Sequence, residues 1–255
     1  MTDPQPAKPL LTALVIAFNE AAQIEACLAS LVFCDEIIVL ENGSTDRTAE
    51  LARKAGATVV ETDDWPGFGP QKQRALDLAH GEWILSLDAD ERIDERLEAE
   101  IRRAISSGGM AGYRLKRLNY FLGKPLRHGG WYPDPVLRLA RRHAARFSSD
   151  AVHERLIVDG PVGELETPLV HLSYRSIDDL LLKLRRYANA TARARRHAGK
   201  RGGLSAAVLR ASLTFVKCFV LQLGLLDGAH GFVAAAYRAE ETFWRYLAVG
   251  WEKGS

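Results

Sequence analysis

Cysteine is scarce in this chain, and what little there is excludes two classes of protein. Cys27, Cys34 and Cys218 are odd in number and show no C-x-x-C spacing, so neither a disulfide framework nor a thiolate zinc site is indicated. A reducing, cytoplasmic setting fits. Phosphate loops are missing too: no G-x-G-x-x-G follows the first apolar run, and no G-x-x-x-x-G-K-[ST] occurs, which argues against dinucleotide and P-loop sites. The opening Met-Thr-Asp-Pro-Gln-Pro is polar and rich in proline, without the apolar core of a signal peptide. No uncharged apolar run approaches the roughly 20 residues of a membrane span. Acidic residues are absent from Leu180 to Leu226, where ten Lys or Arg stand, so a net charge of only +2 hides a strong asymmetry.

With 255 residues, 47% of them hydrophobic, the chain can bury a full core as one large domain or one and a half. Leu10 to Phe18, Ile37 to Leu40, Thr58 to Val60 and Trp83 to Leu87 are short apolar runs. Between them lie helical patterns from Ile24 to Leu31, Ala49 to Ala55 and Gln71 to His80. Strands alternating with helices in this way predict an α/β fold with a mainly parallel sheet flanked by helices. Gly43 permits a tight turn after the second strand, and Ser44 or Thr45 can cap the helix that follows.

The fourth run ends in Asp88-Ala89-Asp90-Glu91. Parallel sheets place ligand chemistry just beyond the carboxyl ends of their strands. Carboxylates crowded there repel one another unless a cation sits between them, and hard oxygen ligands suit Mg²⁺ or Mn²⁺. The competing reading is that Asp90 caps the next helix. Phe18-Asn19-Glu20 and Glu41-Asn42 fall on the same sheet edge. A nucleotide there can use carboxylate and amide groups for base and ribose, and the metal for its phosphates. The plainer alternatives are a first-turn helix acid for Glu20 and ordinary turn chemistry for Glu41 and Asn42.

Leu14 to Glu20, Glu36 to Asp46, Lys72 to Gly81 and Asp88-Ala89-Asp90-Glu91 together resemble the family 2 glycosyltransferases of GT-A fold, nearest the branch of lipopolysaccharide core β-1,4-glucosyltransferases. The resemblance covers at least residues 10 to 175. Glu41 stands where that family commonly has Asp, and Lys72 and Gln73 stand where it has Arg and Asn. It implies a UDP-sugar donor, contacted by Phe18, Asn19, Glu20, Glu41, Asn42, Lys72, Gln73, Asp88 and Ala89. It also implies a divalent metal (Mg²⁺ or Mn²⁺) at Asp90, a late histidine, His171, completing the metal or diphosphate contacts, and inversion at the anomeric carbon. A lone histidine in an apolar strand is otherwise a structural residue.

Tyr113 to Phe121 alternates basic and apolar residues as a strand does, and Gly129-Gly130-Trp131-Tyr132-Pro133-Asp134 is a glycine-rich aromatic loop. Trp131 and Tyr132 can stack on an acceptor sugar or simply pack. An inverting transfer needs a group to take the acceptor's proton. Asp134 and Glu154 are the candidates, and the resemblance favours Glu154. The alternative for both is an exposed ion pair with Arg138, Arg141, Arg142 or Arg155, which is worth little.

Ile177 to Ala198 reads as a basic helix, Lys200 to Gly203 as a break, Ala206 to Leu226 as an apolar stretch interrupted by Arg210 and Lys217, and Phe232 to Val249 as a third helix. The expected organisation is a catalytic domain over 1–175 and a helical extension over 176–255. A basic amphipathic helix beside aromatic residues suits an anionic membrane surface, at about 1 kcal/mol per basic residue near the headgroups. Aromatics are not interleaved with the arginines, which argues against nucleic acid. The expectation is therefore a metal-dependent inverting enzyme, peripheral on the inner face of the cytoplasmic membrane. It would move a hexose, glucose first among them, to a lipid-linked or lipopolysaccharide core acceptor. A non-catalytic membrane or nucleic-acid adaptor, or a nucleotidyltransferase, is the alternative.

Overall fold

In the computed structural model, residues 10–149 and 154–251 are described. The chain divides into two compact units, Met1–Arg117 with Asp134–His171, and Leu118–Pro133 with Leu172–Ser255. The helical unit thus takes up the 118–133 segment as well as the C-terminal helices.

The first unit is built on strands β1 (Leu11–Ala17), β2 (Glu36–Glu41), β3 (Thr58–Glu61) and β4 (Trp83–Asp88), joined by helices α1 (Ile24–Ala29), α2 (Thr48–Lys54) and α3 (Phe68–Leu78). The four strands are parallel in the order β3-β2-β1-β4. Leu-Thr-Ala-Leu-Val-Ile-Ala and Trp-Ile-Leu-Ser-Leu are buried almost throughout, as strands covered on both faces must be. One face packs Ala13, Val15, Leu85 and Leu87 against Leu28 and Ile101, and the other packs Leu14 and Ile84 against Ala75 and Leu76. The register sets Ala17 opposite Glu41 and Ile16 opposite Asp88, so the carboxyl ends of β1, β2 and β4 finish level.

Beyond β4 come a two-residue strand β5 (Glu91–Arg92) and helix α4 (Glu95–Ser107). Asp94 caps this helix, its side chain accepting from Leu97 N at 2.9 Å. Asp90 is therefore not the cap. Leu97, Ile101, Ala104 and Ile105 form the buried stripe of α4, at the i, i+4 spacing of one helix face. The later strands are β6 (Gly112–Phe121), β7 (Lys124–Pro125), β8 (Asp134–Arg141), β9 (Ala145–Phe147), β10 (Leu156–Val158), β11 (Val162–Glu164) and β12 (Leu169–Tyr174). β8 runs antiparallel to both β4 and β6, and β12 antiparallel to β5, so the parallel sheet is extended by a mixed edge. β9 and β10 form a separate two-stranded ladder. Strands of two or three residues carry no periodicity, which is why β5, β7 and β9 to β11 are silent in the sequence.

The second unit contains α5 (Ile177–His197), α6 (Leu204–Val216) and α7 (Gly228–Trp251). Ser176 caps α5 by accepting from Asp179 N, and Leu180, Leu184, Ala188 and Ala192 form its buried face. Phe121, Trp131, Tyr174 and Tyr237 make an aromatic cluster with ring centroids 5.2–6.2 Å apart. The apolar stretch is more broken than its composition suggests. α6 passes into a π-helical turn over Lys217–Leu221 and a 3₁₀ turn over Gly224–Asp227, and α7 starts at Gly228, earlier than its periodicity indicates. Among the described residues one helical stretch, Leu204–Leu221, is long and apolar enough to cross a membrane by length and composition, in spite of Arg210 and Lys217.

Candidate active site

The first unit gathers a chain of alternating charges at the carboxyl end of β4. Asp88 closes that strand. Its carboxylate takes Lys72 Nζ at 2.9 Å from α3 and Arg138 Nη2 at 2.5 Å from β8. Arg138 also reaches Glu91 at 2.7 Å, and Glu91, entirely buried, accepts in addition from Asp88 N at 3.0 Å. Arg117 stands 3.8 Å from Glu91 and pairs with Asp134 at 2.7 Å. On the other side Lys72, itself buried, donates to Glu154 at 2.8 Å. Buried ions persist only when paired in this way.

The electrostatics follow from that packing. Burial alone would raise the Asp88 pKa, but the Arg138 guanidinium and the Lys72 ammonium outweigh it and hold the carboxyl well below its usual range. Burial works against the charge of Arg138, and Asp88 and Glu91 overrule it, so its pKa is raised. Asp88 is thus a fixed anion between two fixed cations. Cys27, beneath it with Sγ 3.7 Å from the Asp88 carbonyl, has its thiol pushed up to about 12 by burial. A thiol that stays protonated is no nucleophile.

Asp90 lies beside this network. Its carboxylate is 3.4 Å from His171 Nε2, and both side chains keep partial exposure, 23% and 15%. The pairing of β12 with β5 produces this approach by setting His171 opposite Glu91. Among the described residues no three His, Cys, Asp or Glu side chains converge on one point. The pair therefore does not suit an all-protein cage. One carboxylate and one imidazole do suit a cation that draws its remaining ligands from water and phosphate, as Mg²⁺ and its analogues do.

Of the other residues singled out in the sequence, Glu41 is buried and both its oxygens are spent on a turn, accepting from Gly43 N at 3.1 Å and Ser44 N at 2.6 Å. Asn19 has φ 55° and accepts from Thr45 N at 2.9 Å, while Ser44 Oγ accepts from Asn19 N. The loops after β1 and β2 are thereby locked together. Neither Ser44 nor Thr45 caps α2, whose N-cap position is Arg47 without a side-chain cap bond; Asp46 accepts from Thr48 N at 3.0 Å just ahead of it. Phe18 is exposed, Ala89 buried, and Glu20 N donates to Thr48 Oγ1. Asn42 Oδ1 accepts from Thr62 Oγ1 and from Gln71 Nε2. Gln73 instead accepts from Phe147 N and donates to Asp77, so the α3 amide beside Asn42 is that of Gln71. Asp134 and Glu154 do pair with cations, but with Arg117 and Lys72 and not with the arginines nearest in sequence. Trp131 is in the second unit, buried against Phe121 and Tyr174 with Arg238 over its ring, and Tyr132 is half-buried. Packing is the observed role of Trp131.

Of this network the sequence reading omits Arg117, counts Glu91 only among the crowded strand-end acids, and takes Arg138 only as an exposed ion-pair partner. One signal was available. Arg138 interrupts Val-Leu-Arg-Leu-Ala, an otherwise apolar strand, and an arginine within such a run needs a buried acid.

The profile of the glycosyl transferase family 2 matches residues 12–135. The chain is 31% identical over 245 residues to the lipopolysaccharide core biosynthesis glycosyltransferase LpsC of Rhizobium meliloti (strain 1021), covering 91% of this chain and 89% of that one. The chain belongs to glycosyl transferase family 2. An uncharacterized glycosyltransferase of Rickettsia prowazekii (strain Madrid E) is 27% identical over 253 residues, 92% of this chain and 85% of the relative. Among solved structures, S. aureus TarS 1–349 has a TM-score of 0.48 at 14% identity, covering 93% of this chain and 89% of that one. Glucosyl-3-phosphoglycerate synthase from Mycobacterium tuberculosis in complex with Mn²⁺, UDP and phosphoglyceric acid has 0.45 at 20%, covering 68% and 73%. Membership makes this chain a glycosyltransferase, built on a mainly parallel sheet flanked by helices. The adaptor and nucleotidyltransferase readings are set aside.

Proposed function

We propose that this glycosyltransferase moves a hexose, glucose first among the candidates, from UDP to a lipid-linked or lipopolysaccharide core acceptor with inversion, at the inner face of the cytoplasmic membrane. The observation that carries the reading is the position of Lys72, shared between Asp88 at the strand end and Glu154. One buried cation thereby holds the donor-side acid and the candidate base at a set spacing. Pre-arranged geometry of this kind lowers the cost of bringing reacting groups together. The lipopolysaccharide acceptor is supported by the name of the Rhizobium relative. UDP and the hexose rest on the family resemblance of the strand-end residues.

In this mechanism Asp88, held as an anion by Arg138 and Lys72, orients the donor ribose, and Glu91 keeps Arg138 in place. Asp90 and His171 would hold Mg²⁺ or Mn²⁺, which when bound neutralises charge on the diphosphate. Glu154 accepts the proton of the acceptor hydroxyl as that oxygen bonds to the anomeric carbon. The bond from that carbon to the diphosphate oxygen breaks, and its electron pair leaves with UDP. Lys72, touching both acids, keeps Glu154 positioned during the transfer. The basic helix α5 would draw the enzyme toward anionic lipid.

The deciding experiment is a thermal-shift screen of nucleoside diphosphates with and without Mn²⁺, on the parent and on Asp90→Ala. The expected result is stabilisation by UDP that requires metal in the parent and vanishes in the variant. Stabilisation by no nucleotide under any condition would overturn the donor assignment.

A further inference from the structure

α6 shows solvent a face it should hide. Leu204, Val208, Leu209, Leu213, Val216 and Val220 are all about half exposed, the highest of the six being Leu209 at 60%. They recur at spacings of three or four residues, with Val208 and Leu209 adjacent, along one side of the helix, whereas the residues buried on the opposite side are the small Ala207 and Cys218. The usual amphipathic arrangement is inverted. Over Leu204–Leu221 the mean hydropathy is 1.7 and only 11% of the residues are buried. The turn that follows extends the patch with Leu221 (74% exposed), Leu223, Leu225 and Leu226. Leu223 adopts φ 59°, a left-handed conformation that glycine or asparagine takes more readily. A large apolar side chain stands there in a strained conformation and half exposed. A contiguous patch of this extent marks an interaction surface.

The charges beside the patch identify what covers it. Arg210 and Lys217 are exposed, lie seven residues apart and therefore share one edge of the apolar stripe. Lys200 and Arg201 precede α6, and no acidic residue occurs between 180 and 226. Cations along the border of an apolar stripe can extend their heads toward lipid phosphates while the leucines enter the acyl region. A second copy of this chain fits less well. A two-fold contact through this face would oppose the same basic residues with no acid on the stripe to pair them.

α7 packs backbone to backbone on the start of α6 and on the turn that follows it. A Cβ on Gly231 would lie 1.8 Å from the Gly224 carbonyl oxygen, and one on Gly250 would lie 2.5 Å from Gly203 N. Thr214 and Thr242 hydroxyls meet at 3.5 Å between these contacts.

We infer that the outer face of α6 and the leucine turn 221–226 form a lipid-bilayer docking surface, lying in the plane of an anionic membrane and entering its apolar layer on one side. This assigns insertion to α6 and leaves α5 an electrostatic role. It rests on the proposed function only in taking the acceptor to be membrane-borne, and its readout needs no transfer reaction.

The test is flotation of the full chain with vesicles of phosphatidylcholine alone and with added phosphatidylglycerol. Leu209→Glu/Leu213→Glu is compared with the parent, and circular dichroism and melting report its fold. Both leucines are exposed, so the melt should be unchanged while binding to anionic vesicles falls about tenfold or more. Arg210→Gln/Lys217→Gln should lose the preference for phosphatidylglycerol. Unchanged flotation of the leucine variant would overturn the assignment. So would a vesicle-free dimer of the parent that this variant converts to monomer, since a second copy would then be the occupant. Metal-dependent UDP stabilisation retained in the leucine variant separates this outcome from failure of the donor reading.

Discussion

Lys72 and Glu154 are 82 positions apart in sequence and 2.8 Å apart in space, and the same ammonium lies 2.9 Å from Asp88. A residue of α3 thus holds together two acids that no local pattern connects. Removing it leaves Asp88 with Arg138 alone and Glu154 with no cation from α3. Lys72→Met is expected to lower kcat by about 100-fold or more, as loss of a preorganised charge does. It should also destabilise the fold by about 3 kcal/mol, toward the low end for a broken buried pair. Steady-state kinetics and denaturant melts measure the two effects separately.

Glu154 as base makes a sharper prediction. Glu154→Gln should reduce kcat about 10²–10⁴-fold, the range for losing a general base, with UDP affinity nearly unchanged. Asp134→Asn, which breaks the pair with Arg117, should leave a larger fraction of the rate. Reversal of that order in kinetics at saturating donor would transfer the role to Asp134.

Metal dependence should lie with Asp90 and His171. Asp90→Ala and His171→Ala are each expected to weaken the apparent affinity for Mn²⁺ in the presence of UDP by about 10–100-fold, the range for disturbing a metal site. Titration of Mn²⁺ against UDP-dependent fluorescence checks this. Equal metal affinity in parent and variants would remove both residues from the site.

Asp88 gives the pH dependence its sign. In the folded state Arg138 and Lys72 hold its carboxyl well below the usual carboxylate range, so the unfolded chain takes up this proton first as the pH falls. The stability from its ion pairs is complete above the unfolded pKa. It declines below about pH 4 and is gone once the folded pKa has been passed. Asp88→Asn should therefore be less stable than the parent at pH 7 by about 2–3 kcal/mol, discounted from the buried-pair range because a third of the side chain is exposed. The gap should close progressively below pH 4. Urea melts from pH 3 to 7 report it, and a constant gap would assign the stabilisation to something other than the charge.

Helix α4 offers a purely structural check. Asp94→Ala removes the side-chain acceptor for Leu97 N and is expected to cost about 1 kcal/mol, with kcat unchanged.

The sequence alone determined the strands that carry the site. The runs in β1, β2 and β4 are long enough and apolar enough to be read without a partner, and Asp88 and Asp90 necessarily fall at the carboxyl end of β4. The family also followed from those strand ends, because they bring their motif residues in fixed order. Only the tertiary structure decided which acid meets which cation. The partnerships of Arg138 with Asp88 and Glu91 and of His171 with Asp90 depend on the mixed edge built by β5, β8 and β12, and that of Lys72 with Glu154 joins α3 to the segment between β9 and β10. Two of those strands are antiparallel additions, and β5 has two residues. Pairing across a sheet brings together residues with no spacing in common, so neither periodicity nor proximity in the chain announces it. The same reason explains α6. Composition shows that it is apolar, but which side is left to water was decided when α7 occupied the other.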